Sequence, residues 1–301
     1  MAQRKVIYEE LEALNSLKDL AESYEEIAVV RMQKIRDSVL KTRDFLADIS
    51  DVFVDLKSSY AHEIVDLMKK IKKGGHGLLP GLQKNNKTLL VYLSSNGGLY
   101  GAVTQKTYKL FMEALKKTDP AQTDIVVIGN AGRTMLEGAK TGRPFKYFAL
   151  PDASIEITHI RNFMQTFLLY EKVHVFYGKF GNVVKQSPIE TSISGENIFE
   201  TEKLEETLRE DRFIFEPTLQ KIFHFFETQI MANLFSQTLL ENQLARHASR
   251  VNAMEEALGH IEEETKKLHQ QRARLKHLLD NKKQLETISG VVVLLDETGG
   301  I

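Results

Sequence analysis

The sequence contains no cysteine. Disulfides, thiolate zinc sites, iron–sulfur clusters and cysteine nucleophiles are therefore excluded, and a reducing compartment is permitted. Net charge is almost as scarce. Forty Lys and Arg stand against 41 Asp and Glu, a formal charge of −1, so bulk electrostatics give no basis for binding nucleic acid or adsorbing to an anionic membrane. The longest aliphatic run is Val291-Val292-Val293-Leu294-Leu295, far short of the roughly 20 residues that cross a bilayer. Any membrane association is expected to go through a partner. The start, Met1-Ala2-Gln3-Arg4-Lys5-Val6-Ile7-Tyr8-Glu9-Glu10, turns acidic with no apolar stretch, unlike a signal or transit peptide, so a cytosolic start is expected. With 42% hydrophobic residues, the chain has enough apolar material for a sizeable core.

Helix breakers are missing from long parts of the chain. Residues 1–73 contain neither Pro nor Gly, whereas all six Pro and 14 of the 18 Gly lie between Gly74 and Pro217. Inside a helix Pro costs about 3 kcal/mol and Gly about 1 kcal/mol, so this distribution predicts helical flanks around a punctuated middle. In the N-terminal flank, apolar residues recur at helical spacing through Ile7, Leu11, Leu14, Leu17, Leu20, Tyr24, Ile27, Ile35, Val39, Leu46, Ile49, Leu56, Ile64 and Leu67. The β-branched stretch at residues 48–54 is its weakest part and a candidate break. In the C-terminal flank, Leu240, Leu244, His247, Val251, Met254, Leu258, Ile261, Thr265, Leu268, Arg272, Leu275 and Leu279 alternate spacings of 4 and 3 without a slip. That is a coiled-coil seam, and the two flanks are expected to pair antiparallel. A long arm that only dimerises the protein is the simpler alternative.

The middle alternates element types. Residues 87–94, 124–129 and 146–150 read as strands, 102–117 and 156–170 as helices, and 172–177 with 183–187 as a hairpin turning through Gly178 to Gly181. Strands interleaved with helices predict an α/β sheet with parallel first strands.

Chemistry is hard to find in this pattern. The turn Ser95-Asn96-Gly97-Gly98-Leu99-Tyr100-Gly101 sits where a phosphate loop would lie, yet it has no Walker Lys-Ser/Thr pair and no G-x-G-x-x-G. Turn geometry and close packing explain its glycines more economically. Gly129-Asn130-Ala131-Gly132 is an ordinary strand-to-helix turn. His62-Glu63-Ile64-Val65-Asp66 has Asp where a zincin helix has its second His, and a solvated helix face is the plainer reading. Ser192-Ile193-Ser194-Gly195 lacks the flanking Gly of a nucleophile elbow. No catalytic, metal-binding or cofactor-binding residues are assigned.

Specific residues nevertheless carry a resemblance. Ser95 to Ala102 is similar to a Ser-Asp-Arg-Gly-Leu-Cys-Gly turn, and Phe176-Tyr177 through Phe180 to Gln186 and Pro188 resembles a Tyr-x-x-Phe…Gln-x-Pro hairpin. Phe215-Glu216-Pro217 resembles a Tyr-Glu-Pro helix opening. Ala248-Ser249-Arg250-Val251-Asn252-Ala253-Met254-Glu255-Glu256-Ala257 resembles the signature Ala-x-Arg-Met-x-Ala-Met-x-x-Ala, and Ile288 to Leu294 an Ile-Val-x-Gly-Ala-Ala-Ala ending. In order and spacing these resemble the gamma subunits of F-type ATP synthases. The resemblance implies a long antiparallel coiled coil of N- and C-terminal helices with an inserted Rossmann-like α/β domain. The corresponding segments are residues 1–73, 74–215 and 216–294, with a tail at 295–301.

It further implies a non-catalytic central rotor shaft, with ATP, ADP and Mg bound by partner subunits rather than by this chain. The implied partners are the alpha and beta subunits of the catalytic ring, an epsilon-type subunit and a membrane ring of c subunits, with no nucleic acid. The implied location is the cytoplasmic face of a bacterial-type plasma membrane, peripheral through the complex. Leu20, Tyr24, Ile27, Arg250, Met254, Lys276, Lys282, Lys283, Leu285, Ile288, Val291 and Val292 are its implied partner contacts, and Gly98, Leu99 and Gly101 its domain turn. Gly259 is expected at a close approach of the paired helices.

There are departures. Asn96 and Thr104 stand where the family has Asp and Asn. Glu9, Glu10, Glu12, Asp19, Glu22, Glu25 and Glu26 dominate a helix that is basic in the family, where it faces an acidic lever of the beta subunits. Residues 19–26 are expected to face Arg272, Arg274, Lys276, Lys282 and Lys283. The acidic helix favours a rival within the same class, the shaft of a diverged rotary ATPase that drives another machine. A free-standing α/β enzyme with a coiled-coil arm is the rival from another class.

Overall fold

The computed structural model of the protein describes residues 2–59, 84–151, 157–194 and 219–298. The stretch His62 to Asp66, seam positions Ile64 and Leu67, and Phe215-Glu216-Pro217 lie outside these residues, as do the side chains of Leu56, Val291 and Val292. The chain forms two compact units, residues 1–27 with 253–301, and residues 28–252. Helix α1 (Ala2–Ser59) contributes to both. It continues without a break across 48–54.

In the first unit, Ile7 and Leu11 of α1 pack on Leu268, with Leu14 and Leu275 alongside. Leu268 and Leu275 belong to a second long helix, which runs to Thr298. The guanidinium carbon of Arg272 sits 5.6 Å from the Tyr8 ring centroid, and Asn15 and Lys18 line a groove with Ile261, Thr265 and His269. As numbers rise along α1 they fall along its partner, so the pair is antiparallel.

This register corrects two expectations. It places residues 19–26 beside residues 254–261, not beside 272–283. Instead of crossing to the acids of α1, Lys282 pairs with Glu286 at 3.8 Å, and Lys18 takes Glu22 within α1 at 3.7 Å. The seam of α1 also differs from the one drawn through its largest side chains. Ala21 is buried, whereas Leu17 and Leu20 are each 51% exposed and Ile27 is 46% exposed. Positions 7, 11, 14, 18, 21, 25 and 28 repeat in steps of 4 and 3, and small residues at 21 and 28 let the helices approach while the large ones flank the seam. Gly259 lies off the seam, where an added Cβ would meet nothing within 4 Å.

The second unit is built on a five-stranded sheet. Its strands are β1 (Thr88–Leu93), β2 (Thr123–Ile128), β3 (Lys146–Phe148), β4 (Lys172–Phe180) and β5 (Gln186–Ser192). They lie in the order β3-β2-β1-β4-β5, parallel except for the antiparallel β4–β5 pair. The apolar runs of β1 and β2 are buried on both faces, as central parallel strands require. On one face Leu90, Tyr92, Val127 and Phe176 pack against Phe111 and Leu115 of α2 (Ala102–Lys117) and Leu136 of α3 (Asn130–Gly138). On the other, Leu89, Val91, Val126 and Val175 meet Phe163 and Phe167 of α4 (Ile157–Phe167) and Met231, Phe235 and Leu239 of α5 (Leu219–Thr298). A stretch of the long C-terminal helix thus does the work of a domain helix.

The hairpin begins later than its glycines suggest. Gly178 lies within β4, where a Cβ would come 2.8 Å from Val103 Cγ2 and 3.4 Å from Ala245 Cβ. Its missing side chain admits two helices rather than a turn. The turn falls at 181–185, and Pro188 is accommodated in β5, the edge strand.

Candidate functional site

The crevice beyond the carboxyl ends of β1 and β2 is where a doubly wound sheet would hold a ligand. Here a polar stretch of α5 fills it. Residues 241–250 are all buried, although they read Glu-Asn-Gln-Leu-Ala-Arg-His-Ala-Ser-Arg, and a helix buried all round must satisfy each polar side chain internally. Glu241 accepts from Arg43 Nη2 at 2.7 Å and Nε at 3.2 Å, and from Gln237 Nε2 at 3.0 Å. Asn242 Oδ1 accepts the Gly178 N–H at 3.1 Å, and its amide donates to the Leu93 carbonyl at 3.5 Å. Asn252, two residues past this stretch, donates to the Val183 carbonyl at 2.8 Å in the hairpin turn.

Arg250 holds the β1–α2 turn. Its Nε donates to the Leu99 carbonyl and its Nη2 to the Gly98 carbonyl, both at 2.9 Å. The guanidinium carbon lies 3.9 Å from the Tyr100 ring centroid, with that of Arg246 at 5.0 Å, a cation–π arrangement on a ring only 6% exposed. His247 meets the same ring edge-on at 5.9 Å. These contacts fix Leu99 at φ 61, a strained region for a residue with a Cβ, while its side chain projects 55% exposed.

The N-terminus of α2 would be the anion site of such a fold. Gly101, at φ 62, has no side chain to cap it, and Ser249 Oγ accepts the Val103 N–H at 3.4 Å instead. A Cβ on Gly101 would lie 2.5 Å from the Ser249 carbonyl oxygen. The cavity left among Leu93, Gly129, Asn242 and Arg246 is about 10 Å³, room for at most one water. The chain itself occupies the phosphate position.

Asn96 has a local reason. Its amide donates to the Leu150 carbonyl while its Oδ1 accepts the Asn130 N–H at the start of α3 at 3.1 Å. An ionised Asp could only accept. Among the described residues no group of three His, Asp or Glu is placed to hold a metal ion.

The expected site residues therefore separate. Gly98, Leu99, Gly101 and Arg250 come together in the turn lock. Arg250 and Met254, at 6% and 7% exposed, face inward and are engaged by this chain. Lys276, Lys282, Lys283, Leu285 and Ile288 are exposed. Sequence reasoning missed Glu241, Asn242 and Ser249, because a polar helical run reads as a solvated face. They lie off the repeat of Leu240, Leu244, His247 and Val251, so its periodicity gave no signal for them.

A family model described as ATP synthase matches residues 3–277. The ATP synthase gamma chain of Pelagibacter ubique is 22% identical over 304 residues, covering 96% of this chain and 99% of its own length. The ATP synthase gamma chain of Elusimicrobium minutum is 25% identical over 280 residues, covering 85% and 87%. Among solved structures, a chain of the Euglena gracilis mitochondrial ATP synthase, in an assembly of OSCP, F1 and c-ring, superposes with a TM-score of 0.64 at 15% identity, covering 99% of this chain and 96% of that one. A chain of the Tetrahymena thermophila central stalk and c-ring gives 0.55 at 18% identity, covering 79% and 99%.

Proposed function

Because the chain belongs to the ATP synthase family, matched over residues 3–277, we propose that it is the gamma-type central shaft of a rotary ATPase and carries no catalytic site itself. The observation that carries this reading is the filled crevice. Where this fold would seat a nucleotide, α5 supplies Asn242, Arg246, Ser249 and Arg250, which supports assigning ATP, ADP and Mg to the partner subunits.

A shaft of two packed helices presents different side chains around its circumference. Each subunit of an enclosing alpha/beta ring then meets a different surface, and differential contact is what biases otherwise identical subunits to different conformations. Turning the shaft changes which subunit is closed. Leu20, Tyr24, Ile27, Lys276, Lys282 and Lys283 are assigned to ring contacts, and Leu285, Ile288, Val291 and Val292 to an apolar bearing at the end of α5. Arg250 and Met254 serve the shaft from within. The α/β domain is assigned to an epsilon-type subunit and the c-ring, at the cytoplasmic face of a bacterial-type plasma membrane.

Affinity purification of the tagged full-length chain from its own cells tests the reading. Alpha- and beta-type subunits should co-purify in stoichiometric excess over the shaft, with c subunits. Absence of the alpha- and beta-type subunits, or ATP hydrolysis by the chain alone, overturns it. Ring subunits without c subunits would instead indicate a rotary ATPase driving another machine, the variant that the acidic α1 favours.

A further inference from the structure

Charge is segregated along the helix pair of the first unit. In the antiparallel register fixed by Leu11 against Leu268 and Tyr8 against Arg272, residues 9–26 lie alongside residues 254–271. These stretches hold twelve Asp and Glu against three Lys, Lys18, Lys266 and Lys267. Past Arg272 the sign reverses. Residues 4–8 and 272–289 hold seven Lys and Arg against two acids.

The acids are not neutralised across the helix interface. Lys18 takes Glu22 on its own helix, and Lys267 takes Glu264 on its own at 2.7 Å. Glu12, Asp19 and Glu26 follow one another at heptad spacing on one flank of α1 and are exposed, and Glu255, Glu256, Glu262 and Glu263 on α5 are exposed at the same level. Seven residues apart, the α1 carboxylates stand about 10 Å from one another along the helix, so their repulsion is weak pair by pair but sums to a negative potential along that flank. The opposite flank of the α1 seam carries the exposed Leu17, Leu20 and Ile27. Leucines and isoleucine left open beside an uncompensated acidic belt describe a surface finished by a partner.

Resting on the shaft reading, we infer that the ring segments enclosing residues 12–27 and 255–264 present Lys or Arg side chains beside apolar ones, and that this basic collar is what the acidic belt engages. A basic collar neutralises the repulsion and covers the exposed leucines in one contact. The basic stretch beyond Arg272 is left to face acidic or neutral partner groups.

Photo-crosslinking in the assembled complex tests this, using Leu20→p-benzoylphenylalanine, a change at an exposed position. The crosslinked segment should belong to a ring subunit and carry net positive charge. A ring segment that is neutral or acidic overturns the inference and leaves the shaft reading standing. A crosslink to a protein outside the ring overturns both, as does one to the basic end of a second copy of this chain. A second measurement uses the full-length variant E12Q/D19N/E22Q/E26Q, whose substitutions are all at exposed positions. Its association rate with purified alpha/beta ring should fall at least tenfold at low salt, and the difference from wild type should vanish at high salt. An unchanged or faster rate overturns the inference, provided helicity by circular dichroism matches wild type.

Discussion

Arg250 concentrates several roles in one side chain. Its fork holds two carbonyls of a turn that contains Leu99 at φ 61, and its face covers Tyr100. Replacement by Ala removes two charge-assisted hydrogen bonds to the carbonyls of the exposed turn and the stack on the buried Tyr100 ring, so R250A should lose about 1–3 kcal/mol in urea unfolding. R250K keeps the charge but cannot reproduce a planar two-point grip. It should recover less than half of the loss, and full recovery would show that charge alone holds the turn. The sequence placed Arg250 inside a recognisable signature, yet it did not say that the target is the glycine turn some 150 positions earlier. That pairing depends on a helix passing over the sheet, which no local pattern encodes.

At the level of elements, the periodicity of α5 was legible and that of α1 was only half legible. On its 4–3 repeat Leu244, His247, Val251, Met254 and Leu268 are buried and Leu258, Ile261 and Thr265 partly so, while Arg272 and Leu279 at its far end are exposed; the buried positions of α5 are mostly large. The core positions of α1 include Ala21 and Ala28, and its bulky Leu17, Leu20 and Ile27 lie outside. Size therefore misdirects the reading. The two seams predict opposite outcomes for single truncations. L11A, at a position 6% exposed and packed on Leu268, should cost about 2–3 kcal/mol by thermal unfolding. L20A, on an exposed flank, should stay within about 0.5 kcal/mol. Equal losses would restore the register drawn through the larger residues. The sheet was easier to read, since continuous apolar runs such as residues 88–93 mark buried parallel strands. Gly178 misplaced the hairpin because a glycine that admits a neighbouring helix looks, in sequence, like one that turns the chain.

For the protein as a whole, two tyrosines of the α/β core set an alkaline limit on stability. Burial pushes Tyr92 up to about 12. Tyr170 is likewise raised to about 12, first by burial and then by the Asp124 carboxylate that accepts its hydroxyl at 2.8 Å. Both are neutral in the fold and ionise near 10 once unfolded. Their contribution is complete below pH 10 and is lost as pH rises from 10 towards 12. The melting temperature should therefore fall steeply across that interval, and Y170F should be less stable at pH 8 but show a shallower alkaline fall. An unchanged slope would remove Tyr170 from the explanation.

The absence of Pro and Gly from residues 1–73 and their scarcity after Pro217 were enough to predict long helices, and the alternation of apolar runs with helical segments was enough to predict an inserted sheet with parallel first strands. Both follow from backbone chemistry that acts locally. Tertiary structure decided which helix face is core, which charges share a level, and that a polar decapeptide of α5 closes the crevice of the sheet. These depend on register between segments about 200 positions apart or more, Leu11 against Leu268 and Arg43 against Glu241 among them. Net charge near zero excluded broad classes of partner, but only antiparallel packing revealed that the zero conceals an acidic belt beside a basic end.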